Sequence, residues 1–201
     1  MRRICDSLIG KAVDCFLKES IADTDEAEFY QFGLEITLLK TIHFISYVGI
    51  AACMKKIPEF IIIFGIFCVF RRNTGGFHAK TRMGCYLFSC LAVIVSLAVT
   101  EGEISMVFLY GLSLCDLMVL CFISPVRNEN RPMDEEEIFC FRKRLYRITV
   151  IYAAVFFFTA EMGYHNLVCL YSIGLTLTTV LTMLGKIQEG GNPGGKQEKN
   201  A

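Results

Sequence analysis

The chain has 201 residues, with 20 Lys plus Arg and 20 Asp plus Glu, so its formal net charge is zero. It is 54% hydrophobic with a mean hydropathy of +0.48, richer than the ~45–50% apolar content of soluble globular chains. The apolar residues gather in runs close to the ~20 that cross a ~30 Å hydrocarbon layer. This excludes a string of soluble domains and predicts one all-α integral membrane domain over residues 1–185.

Residues 1–30 read as an amphipathic N-terminal segment. Ile4, Cys5, Leu8, Ile9, Ala12, Val13, Phe16 and Leu17 repeat at helical spacing, with Arg2, Arg3, Asp6, Lys11, Asp14, Lys18 and Glu19 on the other face. Such a helix lies on the membrane surface or packs on the cytosolic side of the bundle; both readings stay open. Acids interrupt its apolar pattern, so no cleavable secretory signal is expected. Polar "SIADTDEAEFYQFG" then supplies caps for the next helix.

Six membrane spans are predicted, at about 34–53, 57–70, 86–100, 104–123, 148–162 and 165–184. The second is short and must start early, tilt little or thin the bilayer. The breaks "TEGE" and "EMGYH" carry no Lys or Arg. The break after the second span carries four (Arg71, Arg72, Lys80, Arg82), and the break after the fourth carries six (Arg127, Arg131, Arg142, Lys143, Arg144, Arg147). Basic loops stay in the cytosol, which puts both termini and both basic loops inside; Lys55 and Lys56 run against this scheme. The long loop 124–147 turns at a Pro and then opens an acid-first, base-last helix, as the helix dipole favours. Residues 186–201, Gly-rich and polar, read as a flexible cytosolic tail.

The ten cysteines do not read as a disulfide framework. Cys53, Cys68, Cys90, Cys115, Cys121 and Cys169 lie in or beside apolar runs, where Cys behaves as a small hydrophobe. No C-x-x-C pair occurs, so neither a zinc ribbon nor a thioredoxin-type site is supported. No metal or cofactor is expected.

"RRNTGGFHAKTRMGC" (residues 71–85) interrupts two apolar runs. Gly75 and Gly76 permit close approach of another chain segment. His78 can exchange a proton at cellular pH. Cys85 falls where the third span begins, and a helix N-terminus and nearby cations both favour thiolate. A Cys–His pair is the minimum for a thiol nucleophile with a general base. On an unbroken helix the two would stand about 10 Å apart along the axis, beyond the ~2.6–3.2 Å of a hydrogen bond. A dyad therefore requires a break between them, which Gly84 and the Gly75–Gly76 pair ease. Spacing alone leaves open a loop His and a helix-start Cys with no chemistry.

Other candidates surround this stretch. Ser89, one turn past Cys85, shares its face. Asp116 lies inside the fourth span toward the cytosolic end, where an acid is functional or paired; it either orients His78 or pairs with Lys40, the pair being favoured. His43 reads as a satisfied bundle histidine. His165 falls on the outer side and is set aside. Arg142, Lys143 and Arg144 either anchor a helix at the membrane or hold an acidic partner.

The apolar run, Arg71, Gly-Gly-x-His-Ala and a Cys seven residues past the His resemble the accessory gene regulator protein B (AgrB) family of Gram-positive bacteria. The later "SPVRNENRPMDEEE…RKR" resembles that family's second cytosolic loop. The resemblance covers most of the chain. It implies a bacterial cell-membrane cysteine endopeptidase that matures the quorum-sensing propeptide AgrD. Cys85 would be the nucleophile and His78 its base, with Arg71 and Gly76 matching positions needed around the site. It further implies release of the propeptide's acidic C-terminal part, a thioester on Cys85, and ring closure by the propeptide's own Cys or Ser to a thiolactone or lactone. The partners expected are an AgrD-like propeptide and membrane lipid, with room for a homodimer and no nucleic acid. Two other classes compete: a transporter or exporter of a small peptide, and a non-catalytic membrane scaffold. A transporter would more often show symmetric halves and helices broken at mid-depth, and the sequence shows neither.

Overall fold

The structure is a computed structural model, and it describes residues 27–77, 81–126 and 134–190. The N-terminal segment 1–26, the stretch 78–80 with His78 and Lys80, residues 127–133 and the tail from 191 lie outside the described residues. Six helices fill the described residues, with no strand among them: α1 Ala27–Cys53, α2 Ile57–Thr74, α3 Arg82–Val99, α4 Met106–Ile123, α5 Glu135–Glu161 and α6 His165–Gly190. Each contains one of the six predicted apolar runs, wholly or nearly so.

Local sequence sets the helix ends. Pro58 stands in the first turn of α2, where its missing N–H costs nothing. Thr81 accepts a hydrogen bond from the Gly84 amide at 3.1 Å to start α3, and Ser105 accepts from Phe108 at 3.4 Å to start α4. Asp134 followed by Glu135, Glu136 and Glu137 opens α5, as the positive helix N-terminus favours. Because α5 begins there, the basic residues 142–147 ride on a helix. α6 runs on to Gly190, so residues 186–190 are helical, and Lys186 pairs with Glu189 at 2.8 Å.

Three helices are long and apolar enough to cross a membrane, in the stretches Ile36–Cys53, Met106–Ile123 and His165–Glu189; Met83–Val99 is a shorter apolar helix. Charges interrupt the other two: Glu59, Arg71 and Arg72 in α2, and the acidic and basic turns of α5.

The chain divides into two compact units, residues 1–50 and 51–201. In the first, hydroxyls are satisfied by the helix itself: Thr37 donates to Gly33 O at 2.8 Å, Thr41 to Thr37 O at 2.9 Å and Ser46 to Ile42 O at 2.9 Å. His43 Nδ1 lies 3.4 Å from the Tyr47 hydroxyl.

In the second unit α6 is the hub, packing against α2, α3, α4 and α5. Its apolar stretch is 44% buried against 22% for that of α4. Phe70, Leu109, Leu120, Leu145, Tyr152, Phe156, Val168 and Leu175 form the core. In lipid, apolar burial does not drive helices together, so small residues and interhelical hydrogen bonds must do so. α6 supplies both. Ser172, Thr178, Thr179 and Thr182 are buried, and Ser172 shares a 2.9 Å hydrogen bond with Ser113 of α4. A Cβ on Gly174 would come within 2.9 Å of Ile63 O and Ile66 Cβ of α2, so only glycine admits this crossing unchanged. The outer faces carry large apolar groups, with Val107 82% and Phe122 77% exposed, which suits a chain whose solvent is hydrocarbon. This is an all-α membrane-type protein.

Candidate active site

The loop after α2 is pinned from three sides. Arg71, in the last turn of α2, turns back over it: Nη1 donates to the Gly75 carbonyl and Nη2 to the Phe77 carbonyl at 2.8 Å. Gly75 and Gly76 have φ of 69° and 138°, a region closed to most L-residues. Space also forbids side chains. A Cβ on Gly76 would lie 1.6 Å from Arg71 Nη1 and 2.9 Å from Leu181 O, and one on Gly75 would lie 2.7 Å from Val126 O. The second side is the segment after α4, where the Val126 amide donates to Thr74 O at 2.9 Å. The third is α6. The Phe77 amide donates to Leu181 O at 2.9 Å, the Thr74 and Thr182 hydroxyls meet at 3.3 Å, and the Gly76 backbone rests on Gly185.

α2 stops at Thr74 and α3 starts at Arg82, with Thr81 extended at φ −120° and ψ 143°. The helical path is therefore broken between Gly76 and Cys85, as a dyad would require. Cys85 sits in the first turn of α3, its amide bonded to Thr81 O at 3.0 Å, its thiol free and half-buried. Ser89, one turn on, is also half-buried. The Phe77 and Phe88 rings, 5.4 Å apart, join the pinned loop to α3. Burial pulls the Arg71 guanidinium below the ordinary arginine value, and negative charge at Cys85 opposes that fall. Arg72 points to the exterior. The pairing of His78 with Cys85 lies outside the described residues.

Asp116 is buried in α4. Its carboxylate accepts a 2.5 Å hydrogen bond from Thr176 of α6, while the Thr179 hydroxyl donates to Leu175 O at 3.1 Å. Arg142, Lys143 and Arg144 are exposed on α5. Arg142 Nε donates to Ser124 O at 3.4 Å, two residues before Val126 and its bond to α2. The basic turn of α5 thus shares one end of the molecule with the pinned loop. His165 starts α6, about 24 Å along the axis from Leu181 by the helical rise. There it lines a cavity of about 610 Å³ with Lys56, Glu59 and Glu101.

Sequence reading missed Leu181, Gly185, Val126 and Phe88. A signal existed for part of this. Gly174, Thr178, Thr182 and Gly185 recur at spacings of four, four and three, one small-residue stripe along α6 of the kind that admits another backbone.

A bundle centred on a small-residue helix, apolar outside, with a half-buried thiol beside an arginine-pinned loop, defines an all-α membrane-type protein with a candidate thiol site. Residues 9–184 match the sequence profile described as Accessory gene regulator B. The chain belongs to that family, which ties it to agr quorum sensing. It is 25% identical over 109 residues to the accessory gene regulator protein B of Staphylococcus intermedius, covering 54% of this chain and 58% of that protein's length. It is 28% identical over 153 residues to a putative AgrB-like protein of Clostridium beijerinckii, covering 75% of each. No solved structure matches the chain.

Proposed function

We propose that the chain is a membrane-embedded cysteine endopeptidase that cleaves an AgrD-like propeptide and passes its signal portion through a thioester on Cys85 to a cyclic thiolactone or lactone. The observation that carries this reading is the pinning of residues 75–77 by Arg71. A loop held at that many points, ending one residue before a histidine and packed through Phe77 on the helix that Cys85 helps to open, suits a preorganised site better than a linker.

His78 takes the Cys85 thiol proton as Sγ attacks the scissile carbonyl carbon, and returns it to the departing amine. The C–N bond breaks, the acidic C-terminal fragment leaves, and the signal portion stays as a thioester. The propeptide's internal thiol or hydroxyl then attacks that thioester, forms the ring bond and returns Cys85 as a thiol. Thioester exchange to a thiolactone is close to neutral in energy, so water must be kept out until the ring closes. The exposed basic turn of α5 attracts the acidic part of the substrate. In this reading the end bearing the loop 71–82 and residues 124–147 faces the cytosol, as do both chain termini.

The test is reconstitution in lipid nanodiscs with a synthetic AgrD-like propeptide. The wild type is expected to release the C-terminal fragment and to gain, transiently, the mass of the signal portion on Cys85. Cleavage by Cys85→Ala at the wild-type rate overturns the proposal.

A further inference from the structure

We infer that the last turns of α6, through Gly185 and the Leu181 carbonyl, set the register of the loop that leads to His78, so that Gly185 is a positioning residue for the Cys85 reaction. The inference rests on the reading of Cys85 as a nucleophile. A Cβ on Gly185 would lie 2.4 Å from Gly76 C, 2.6 Å from Gly76 Cα and 2.6 Å from Phe77 N. All three are backbone atoms, so no side-chain rotation relieves the clash and the loop itself must move. Loop and helix are also joined by the hydrogen bond from the Phe77 amide to Leu181 O, at 2.9 Å. Leu181 stands one turn before Gly185, so the loop lies along a single groove of α6.

On its other side the loop has no slack. The place of a Gly76 side chain is filled by Arg71 Nη1, 1.6 Å from where its Cβ would stand. Residues 76–77 are clamped between a guanidinium and a helix, and His78 is the next residue of the chain. Any shift at the Phe77 amide passes directly to the backbone that carries the imidazole.

α6 contains its own control. Gly174 meets α2 as tightly, with a Cβ 2.9 Å from Ile63 O and 2.9 Å from Ile66 Cβ. It stands about 16 Å along the helix from Gly185 by the helical rise and touches no part of the loop. Alanine at either site wedges α6 from a neighbour, but only alanine at 185 displaces the residues beside His78.

The experiment compares wild type, Gly185→Ala, Gly174→Ala and Cys85→Ala in nanodiscs. It reads kcat and KM for propeptide cleavage, the melting temperature, and the pH profile of Cys85 alkylation by iodoacetamide with the other cysteines replaced. Gly185→Ala is expected to lower kcat by about 100-fold, the scale of a misplacement near 1 Å, to leave KM near wild type and to shift the alkylation profile. Gly174→Ala is expected to lose melting temperature while keeping kcat and the profile. Inactive Cys85→Ala beside Gly185→Ala with wild-type kcat and profile overturns this inference alone; active Cys85→Ala overturns the catalytic reading beneath it. Hydrogen exchange on the wild type needs no variant: the Phe77 amide is expected to be protected, and exchange at an open-loop rate overturns the docking.

Discussion

Arg71 Nη2 donates to the Phe77 carbonyl at 2.8 Å, from one side of the break between α2 and α3 to the other end of the Gly-Gly turn. The same guanidinium reaches Gly75 O. One planar cation thereby fixes two carbonyls that glycine backbones at φ 69° and 138° would otherwise leave loose.

A lysine cannot do this. Its ammonium is a point charge that holds one carbonyl well but does not present a fork of fixed geometry. Arg71→Lys is expected to keep the protein folded and membrane-inserted while cutting propeptide cleavage by about 10- to 100-fold, the cost of a loosened site. Nanodisc kinetics beside a melting curve check it. Full activity in Arg71→Lys would reduce the role of Arg71 to its charge.

Asp116 is expected to behave as a structural group. Its carboxylate is engaged by Thr176 of α6, so it ties α4 to the hub helix. Asp116→Asn retains an acceptor oxygen and should remain near wild type in stability and turnover. Asp116→Ala leaves the half-buried Thr176 hydroxyl without its acceptor and should cost about 1 kcal/mol, with turnover per folded molecule preserved. A loss of kcat in Asp116→Asn at unchanged stability would assign the carboxylate to the chemistry instead.

Much of the architecture was legible because it is local. Apolar runs and the acid-first start of α5 are written in neighbouring residues, and the helices follow them. The site's support was not legible, because it is distant in sequence. Gly76 and Gly185 touch across more than a hundred residues, and no periodicity announces which glycine another backbone will rest on. Asp116 shows the same limit. Its hydroxyl partner Thr176 stands sixty residues on, in α6, and nothing in the neighbouring sequence of α4 points to it. That Cys85 stands at a helix start follows from the apolar run behind it, whereas the Thr81 cap that starts α3 at Arg82 is shown by the structure.

The basic ends should face the cytosol. Lys55 and Lys56 run against this orientation; Lys55 is exposed, whereas Lys56 Nζ donates to Leu97 O at 2.9 Å and to Thr100 Oγ1 at 2.8 Å, and pairs with Glu101 at 3.0 Å. Lys56 closes the C-terminal end of α3, and the two lysines are outnumbered by the ten basic residues of the two loops that set the bias. A single Cys placed at position 102 on a Cys-free background is expected to react with a membrane-impermeant maleimide from outside intact cells. Reaction only after the inner face is opened would invert the topology.

The basic turn of α5 should recruit substrate by charge. Arg142, Lys143 and Arg144 are exposed, and Arg142 Nε, bonded to Ser124 O, holds that turn at the same end as the loop before His78. Exposed cations act over roughly one Debye length, about 30 Å at 0.01 M salt and about 8 Å at 0.15 M, so their pull on an acidic peptide must fade as salt rises. Reversing all three to Glu is expected to raise KM for an acidic-tailed propeptide several-fold at low ionic strength, to change it little at high ionic strength, and to leave kcat near wild type, because none of the three reaches Cys85. A propeptide whose tail carboxylates are replaced by amides should lose the same salt dependence on the wild-type enzyme. If the triple reversal leaves KM unchanged at low salt, the run serves only to seat α5 against the membrane surface, and the acidic tail must be recognised elsewhere.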